Sequence, residues 1–156
     1  MKIKLLSNDA IVPKRADKGA AGYDLYIPRD FIVKPGRNIV PLDIAIAIPH
    51  GWEGQIRPRS GFSAKGVVGY PITGQGKYDE TDRRYDADVL IGTIDESYRG
   101  NVGILLHNHE SEPFMIAKGT RLAQIVFEQY LSQDFEIASE LDETDRGEGG
   151  FGSTHI

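Results

Sequence analysis

Apolar side chains recur at alternate positions in short runs: Ile3 and Leu5; Leu42, Ile44, Ile46 and Ile48; Val102, Ile104 and Leu106; Leu122, Gln124 and Val126, the last with an amide at its centre. A period of two residues puts every second side chain on one face of an extended strand. The turn sequences "KPGRN", "IPHGWEG", "YRGN" and "AKGT" punctuate these runs closely. Their glycines and prolines set the backbone angles that reverse a strand. With 18 glycines and 8 prolines in 156 residues, little unbroken chain is left for long helices. The pattern therefore predicts an all-β fold, an antiparallel sandwich or barrel of short strands. One helical spot is expected, "SGFSAKG" (60–66), with Ser60 capping a short turn of helix that starts at Gly61. A helix start also offers unpaired N–H groups to an anion.

Two stretches break the alternation. Residues 67–88 carry Gly74, Gly76 and a mixed-charge patch, and read as a long loop or an excursion hairpin. Residues 132–147 are acidic and lead into a glycine-rich end. The expected organisation is one β domain over 1–131 with a long insertion at about 67–88, a connector over 132–145, and a flexible C-terminal lid over 146–156. There is no internal repeat and no heptad pattern.

Composition narrows the chemistry. The chain has no cysteine, which excludes disulfides, thiolate zinc sites and cysteine nucleophiles and leaves oxygen and nitrogen groups to act. A net charge of -5 argues against a generic nucleic-acid or anionic-membrane surface, so a polyanionic ligand needs a local arginine cluster. No apolar run approaches a membrane span or a signal peptide, and the expected location is cytoplasmic with no membrane contact. The terminal "RGEGGFGSTHI" (146–156) has almost nothing apolar to bury. Its glycine N–H groups, arginine and hydroxyls suit phosphate oxygens, and its single ring, Phe151, suits a base.

Five segments mix glycine with charge inside this strand-rich chain: "AGYDLY" (21–26), "PRSGFSAKG" (58–66), "GTIDESYRG" (92–100), "GTRLAQ" (119–124) and "RGEGGFGST" (146–154). Together and in order they resemble the motifs of the trimeric dUTPase family. The resemblance implies a distorted jelly-roll of short antiparallel strands with one short helix. It implies hydrolysis of dUTP to dUMP and pyrophosphate, with Mg2+ on the triphosphate and each active site shared between subunits of a homotrimer. Such a reaction keeps uracil out of DNA and supplies dUMP for thymidylate synthesis.

Residue by residue, the resemblance makes Asp95 the base that takes a proton from the water attacking the α-phosphorus, help worth about a hundredfold to ten-thousandfold. Gly92, Thr93 and Ile94 would form a backbone hairpin that reads the uracil edge, with Val89 also assigned to the substrate. The Tyr98 ring would pack on the deoxyribose. Arg59, Ser60 and the Gly61 N–H would hold the phosphate chain. Gln124 would help fix the phosphates and the attacking water. Arg146, Ser153 and Thr154 would grip the γ-phosphate, Phe151 would stack on uracil, and Gly152 would let the lid close over both. Asp24 would stand near the metal through water, although ordering an arginine suits it equally well. Mg2+ favours phosphate oxygens and water, so a dense carboxylate cage is not expected.

The 67–88 stretch is longer than the family's usual link between its second and third motifs, which suggests an extended subunit contact or a protein partner there. "HNH" (107–109) puts two histidines on one strand face, but no third metal ligand is evident. Two rival readings are a dCTP deaminase of the same superfamily and a nucleotide-gated regulatory protein on the same fold. The deaminase's glutamate falls at Leu105 here, and the intact Asp95 argues against a role without catalysis.

Overall fold

The computed structural model describes residues 1–73, 77–78 by backbone alone, and 81–150. In chain order the elements are β1 (Lys2–Leu5), β2 (Tyr23–Tyr26), β3 (Phe31–Val33), β4 (Gly36–Pro41), β5 (Ile44–Ala47) and β6 (Trp52–Pro58). Then come α1 (Ser60–Lys65), β7 (Val67–Thr73), β8 (Lys77–Tyr78), β9 (Arg83–Tyr85) and β10 (Ala87–Leu90). The last four are β11 (Gly92–Ile94), β12 (Gly103–Asn108), β13 (Phe114–Ile116) and β14 (Arg121–Gln129). The sheets run β11-β6-β14-β2, β10-β12-β4, β1-β5 and β3-β13-β7-β8, with β9 also on β7. Every paired strand is antiparallel to its neighbour. This is the expected all-β jelly-roll sandwich of short strands with one short helix.

The alternating runs form the core where both sheets can reach them. Ile44, Ile46 and Ile48, with Val102, Ile104 and Leu106, are all buried. In β14 burial exceeds the two-residue period: Ala123 and Ile125 are as buried as Leu122 and Val126. The register of β14 against β2 shifts between Arg121 and Ala123, so strict alternation does not hold along it. The opposite holds in β1, where Ile3 and Leu5 alternate as a core strand should yet remain exposed.

Two expectations need correction. The cap of α1 is Arg59, in extended conformation and with no side-chain cap bond, and Ser60 is the first helical residue. Ser63 holds the first turn instead, its N–H and hydroxyl both donating to Arg59 O at 2.9 and 3.3 Å. Gly92–Ile94 does not form a hairpin with the strand before it: β10 pairs with β12, whereas β11 pairs with β6. The chain changes sheets at Ile91, which stays exposed. The 67–88 stretch is a hairpin, the second of its two expected forms: β7 pairs with β8 and β9, and its base is joined to the body of the domain through β13. Tyr85 stacks on Phe114 with ring centroids 4.0 Å apart, and Gly69 makes room, since a Cβ there would sit 2.7 Å from the Phe114 ring. Among the described residues no helix is long and apolar enough to cross a membrane.

A candidate active site in separate parts

The first part is built around β11. Its register against β6, Gly92 to Ile56 and Ile94 to Gly54, carries the chain to the edge of the sheet and into a turn at Asp95. Tyr98 N donates to Asp95 O at 3.0 Å and closes that turn. Tyr98 then folds back over Gly100, where a Cβ would come within 2.4 Å of the phenol oxygen, so glycine is required. The Tyr98 hydroxyl donates to Asn101 O at 3.0 Å, fixing the ring with one face in solvent. Gly92, Thr93, Ile94, Asp95 and Tyr98 thus line a cleft of about 260 Å³ whose apolar wall includes Ile39, Ile56 and Leu105. Its polar wall includes Asn101, whose amide donates to the buried Asp43 carboxylate at 3.3 Å. A flat ring between an apolar wall and strand backbone is what such a slot can hold, with an exposed carboxylate at its mouth. Leu105 supplies no acid or base there.

The second part is built around Asp24, nearly buried at 8% exposure. A buried carboxylate needs cationic or N–H partners to offset its lost hydration. It has Arg59 Nε at 2.8 Å and Arg121 Nη1 at 3.4 Å, and Arg59 Nη1 also donates to Arg121 O at 3.4 Å. Asp24 therefore orders arginines, the second of the two roles open to it from sequence. Beside it Gln124 Nε2 donates to Pro58 O at 3.0 Å. Gly22 makes this possible, since a Cβ at that position would lie 2.2 Å from Gln124 Oε1. Arg59, Lys65, Arg84 and Arg121 line a cleft of about 400 Å³ along with Gly61 and Thr120, an arginine-rich cradle in a chain of net charge -5. Ser60 and Gly61 are exposed at its rim. Arg121 was missed by sequence reasoning although it lies within "GTRLAQ". Its signal was a charge at the head of an apolar strand, which alternation alone cannot distinguish from a solvated end.

The third part stands apart. Arg146 Nε donates to Gly149 O at 2.8 Å within a turn of the C-terminal segment. Phe151, Gly152, Ser153 and Thr154 lie outside the described residues. Val89 is brought to none of these parts: its side chain is in the core at 6% exposure. The clefts around Asp95 and Arg59 share no residue.

A divalent cation finds no ready cage. Among the described residues no three His, Asp or Glu side chains gather where they could hold a metal ion. His107 and His109 do lie side by side, with ring centroids 4.6 Å apart and planes tilted by 37°, but His109 Nε2 is taken up by Asp88 at 2.8 Å. The donors present fit a cation that arrives on phosphate oxygens and keeps its waters.

Comparison with known proteins follows the same lines. The family described as dUTPase matches residues 8–77 and 83–155, breaking only across the far end of the β7 hairpin. A protein of Dictyostelium discoideum named mitochondrial deoxyuridine 5'-triphosphate nucleotidohydrolase is 41% identical over 156 residues, covering 99% of this chain and 76% of that one. A deoxyuridine 5'-triphosphate nucleotidohydrolase of Syntrophotalea carbinolica is 43% identical over 157 residues, covering 99% and 95%. Among solved structures, a mutant of the Staphylococcus bacteriophage 80alpha dUTPase with dUpNHpp superposes with a TM-score of 0.80 at 26% identity, covering 99% of this chain and 98% of that one.

Proposed function

The chain belongs to the dUTPase family, and from that premise we propose that the parts described above are complementary walls of one active site, closed only when copies of the chain meet in a homotrimer. The protein is an enzyme that hydrolyses dUTP to dUMP and pyrophosphate. One observation carries the shared-site reading. Asp95 and the Arg59–Asp24–Arg121 cluster line clefts with no residue in common, yet each has the chemistry of only half the reaction. A base cleft without cations cannot hold a triphosphate, and a cation cradle without a free carboxylate cannot activate water. The C-terminal arm that follows β14 supports the same reading. Leu131, Phe135, Ile137 and Leu141 are almost wholly exposed on their own subunit, and apolar side chains so placed are covered most simply by a neighbour in a closed ring.

In this site the uracil lies in the cleft beside Gly92, Thr93 and Ile94, and the deoxyribose meets the Tyr98 ring. Arg59, Ser60 and Gly61 of a neighbour hold the phosphates, with Arg121 as a further cation, and Gln124 orients the attacking water. Asp95 accepts the proton of that water as its oxygen bonds to the α-phosphorus. The bond from this phosphorus to the bridging oxygen breaks, and pyrophosphate leaves. Mg2+ bound to the triphosphate would offset its charge. Arg146, with Phe151, Gly152, Ser153 and Thr154, closes over the nucleotide and excludes water. Presenting each deoxynucleoside triphosphate and UTP with Mg2+ tests the reading. Pyrophosphate should form from dUTP alone at an appreciable rate; comparable turnover of UTP would overturn the role of the Tyr98 wall, and ammonia from dCTP the assignment itself.

A further inference from the structure

The residue after the proposed base has its own architecture. Pairing of β11 with β6 stops at Ile94 opposite Gly54, so the turn that carries Asp95 has left the ladder. The Glu96 side chain reaches back across the gap. Its Oε2 accepts the Gly51 N–H at 2.6 Å, and its Oε1 lies 2.9 Å from His50 Nδ1. The Tyr130 phenol faces the same carboxylate, which raises its pKa. His50 and Gly51 form the turn between β5 and β6, and Gly51 has a left-handed φ of 77° that suits glycine. Tyr130 directly follows β14, and its N–H donates to Gly51 O at 3.1 Å. The Glu96 carboxylate thus ties the end of β11 to the turn before β6, and through Gly51 that turn is tied to the end of β14, at the point where the C-terminal arm leaves the domain.

From this convergence the geometry points to Glu96 as a positioning residue, which pins the Asp95 turn to the end of the central sheet and to the root of the arm. Charge-assisted acceptance from several donors is the strong form of such a tie. The His50 and Tyr130 contacts and the Gly51 N–H hold the Glu96 carboxyl below the usual carboxylate range, so it is ionised at neutral pH. Glu96 acts through Asp95: a base displaced by about 1 Å can lose about a hundredfold in rate. The inference rests on Asp95 as the base, and its test includes a readout that does not.

The variants are Glu96→Ala, Glu96→Gln and Tyr130→Phe in the full chain, with kcat and KM for dUTP and amide hydrogen exchange at residues 95–98 as the measurements. Glu96→Ala should lower kcat by about ten- to a hundredfold with KM changed less than about threefold. Exchange at 95–98 should quicken by about tenfold or more while the core strands keep their protection. Glu96→Gln should recover part of kcat, because its amide oxygen still accepts the Gly51 N–H, and Tyr130→Phe should move both readouts the same way by less. A role in fold stability alone would lower the melting temperature and speed exchange across the sheet without touching kcat of the folded enzyme, and that result overturns the inference. So does a kcat within about twofold of the parent. Should Glu96→Ala fail to fold, Glu96→Gln and Tyr130→Phe decide by the same readouts. If the parent failed to hydrolyse dUTP, the proposed function would fall, while exchange at 95–98 would still report whether Glu96 pins the turn.

Discussion

Replacing Gly22 by alanine links one missing methyl group to the proposed phosphate wall. The added Cβ would stand 2.2 Å from Gln124 Oε1, 2.9 Å from its Cδ and 3.2 Å from its Cβ. These separations reach into the side chain's stem, so a small adjustment of the amide tip does not relieve them. Gln124 must rotate away, and its bond to Pro58 O, now 3.0 Å, is lost. A hydrogen bond of this kind contributes about 0.5–1.5 kcal/mol net, and crowding a packed site costs about 1–3 kcal/mol. The rotation that relieves the crowding is the one that breaks the bond, so the two overlap, and a total of about 1–3 kcal/mol is expected. For a chain of this size that is a fall of roughly 2–10 °C in Tm. If the Gln124 amide also contacts the phosphates or the attacking water, kcat/KM should fall about ten- to a hundredfold, the worth of one hydrogen bond to a charged group. Calorimetry and steady-state dUTP hydrolysis measure both. In a Gln124→Ala background the obstacle is gone, and Gly22→Ala should then cost less than about 0.5 kcal/mol. Parental Tm and kcat/KM in the single variant, or strict additivity in the double, would refute the reasoning.

Asp95→Asn should bind a non-hydrolysable dUTP analogue normally but turn over about a hundred- to ten-thousandfold more slowly, because an amide cannot take the proton; near-parental kcat removes Asp95 from that role. Tyr85→Phe should stabilise the fold by about 1–2 kcal/mol in chemical denaturation. The Tyr85 hydroxyl is buried and unpartnered among the described residues, and a loss of stability would show that it has a partner. The His50–Glu96 contact raises the histidine pKa and lowers that of the carboxylate. Its contribution is therefore present between the two, lost as pH falls through the depressed Glu96 value and lost as pH rises through the raised His50 value. An NMR titration should show His50 above the ordinary imidazole range, returning to it in Glu96→Gln; equal midpoints in both would contradict the contact.

Alternation legible along the chain corresponds to burial where a strand has one covered face, as in β12, where Ile104 and Leu106 are buried and Leu105 between them is exposed. It is misleading in β1, because Ile3 and Leu5 follow the same rule without cover from their own subunit. It underestimates β14, where neighbours are buried in pairs, Leu122 with Ala123 and Ile125 with Val126. The role of Tyr85 was hidden for a different reason. Its stacking on Phe114 joins residues far apart in sequence, and nothing in the mixed-charge run around it announces a core ring. The candidate site shows the same division. Asp95, Tyr98, Arg59 and Gln124 were legible because each lies in a short motif mixing glycine with charge. The pairing of Asp24 with Arg121 bridges residues 97 apart, and Glu96 gains its meaning from Gly51 and Tyr130, which only the sheet register brings beside it. Val89 was the opposite case, a residue assigned to the substrate from outside the five segments, whose side chain lies in the core.

Whether one site is built from several subunits can be read from mixed oligomers of two crippled chains. Asp95→Asn and a truncation before Arg146 should each be nearly inactive alone. Co-expressed in equal amounts, they should recover hydrolysis at about a quarter of the sites, those pairing an intact Asp95 from the truncated chain with an intact arm from the substituted one. If each arm served its own subunit, no mixed site would hold both parts. Activity no greater than the sum of the separate variants, in a preparation shown to contain hetero-oligomers, would contradict a site shared between subunits.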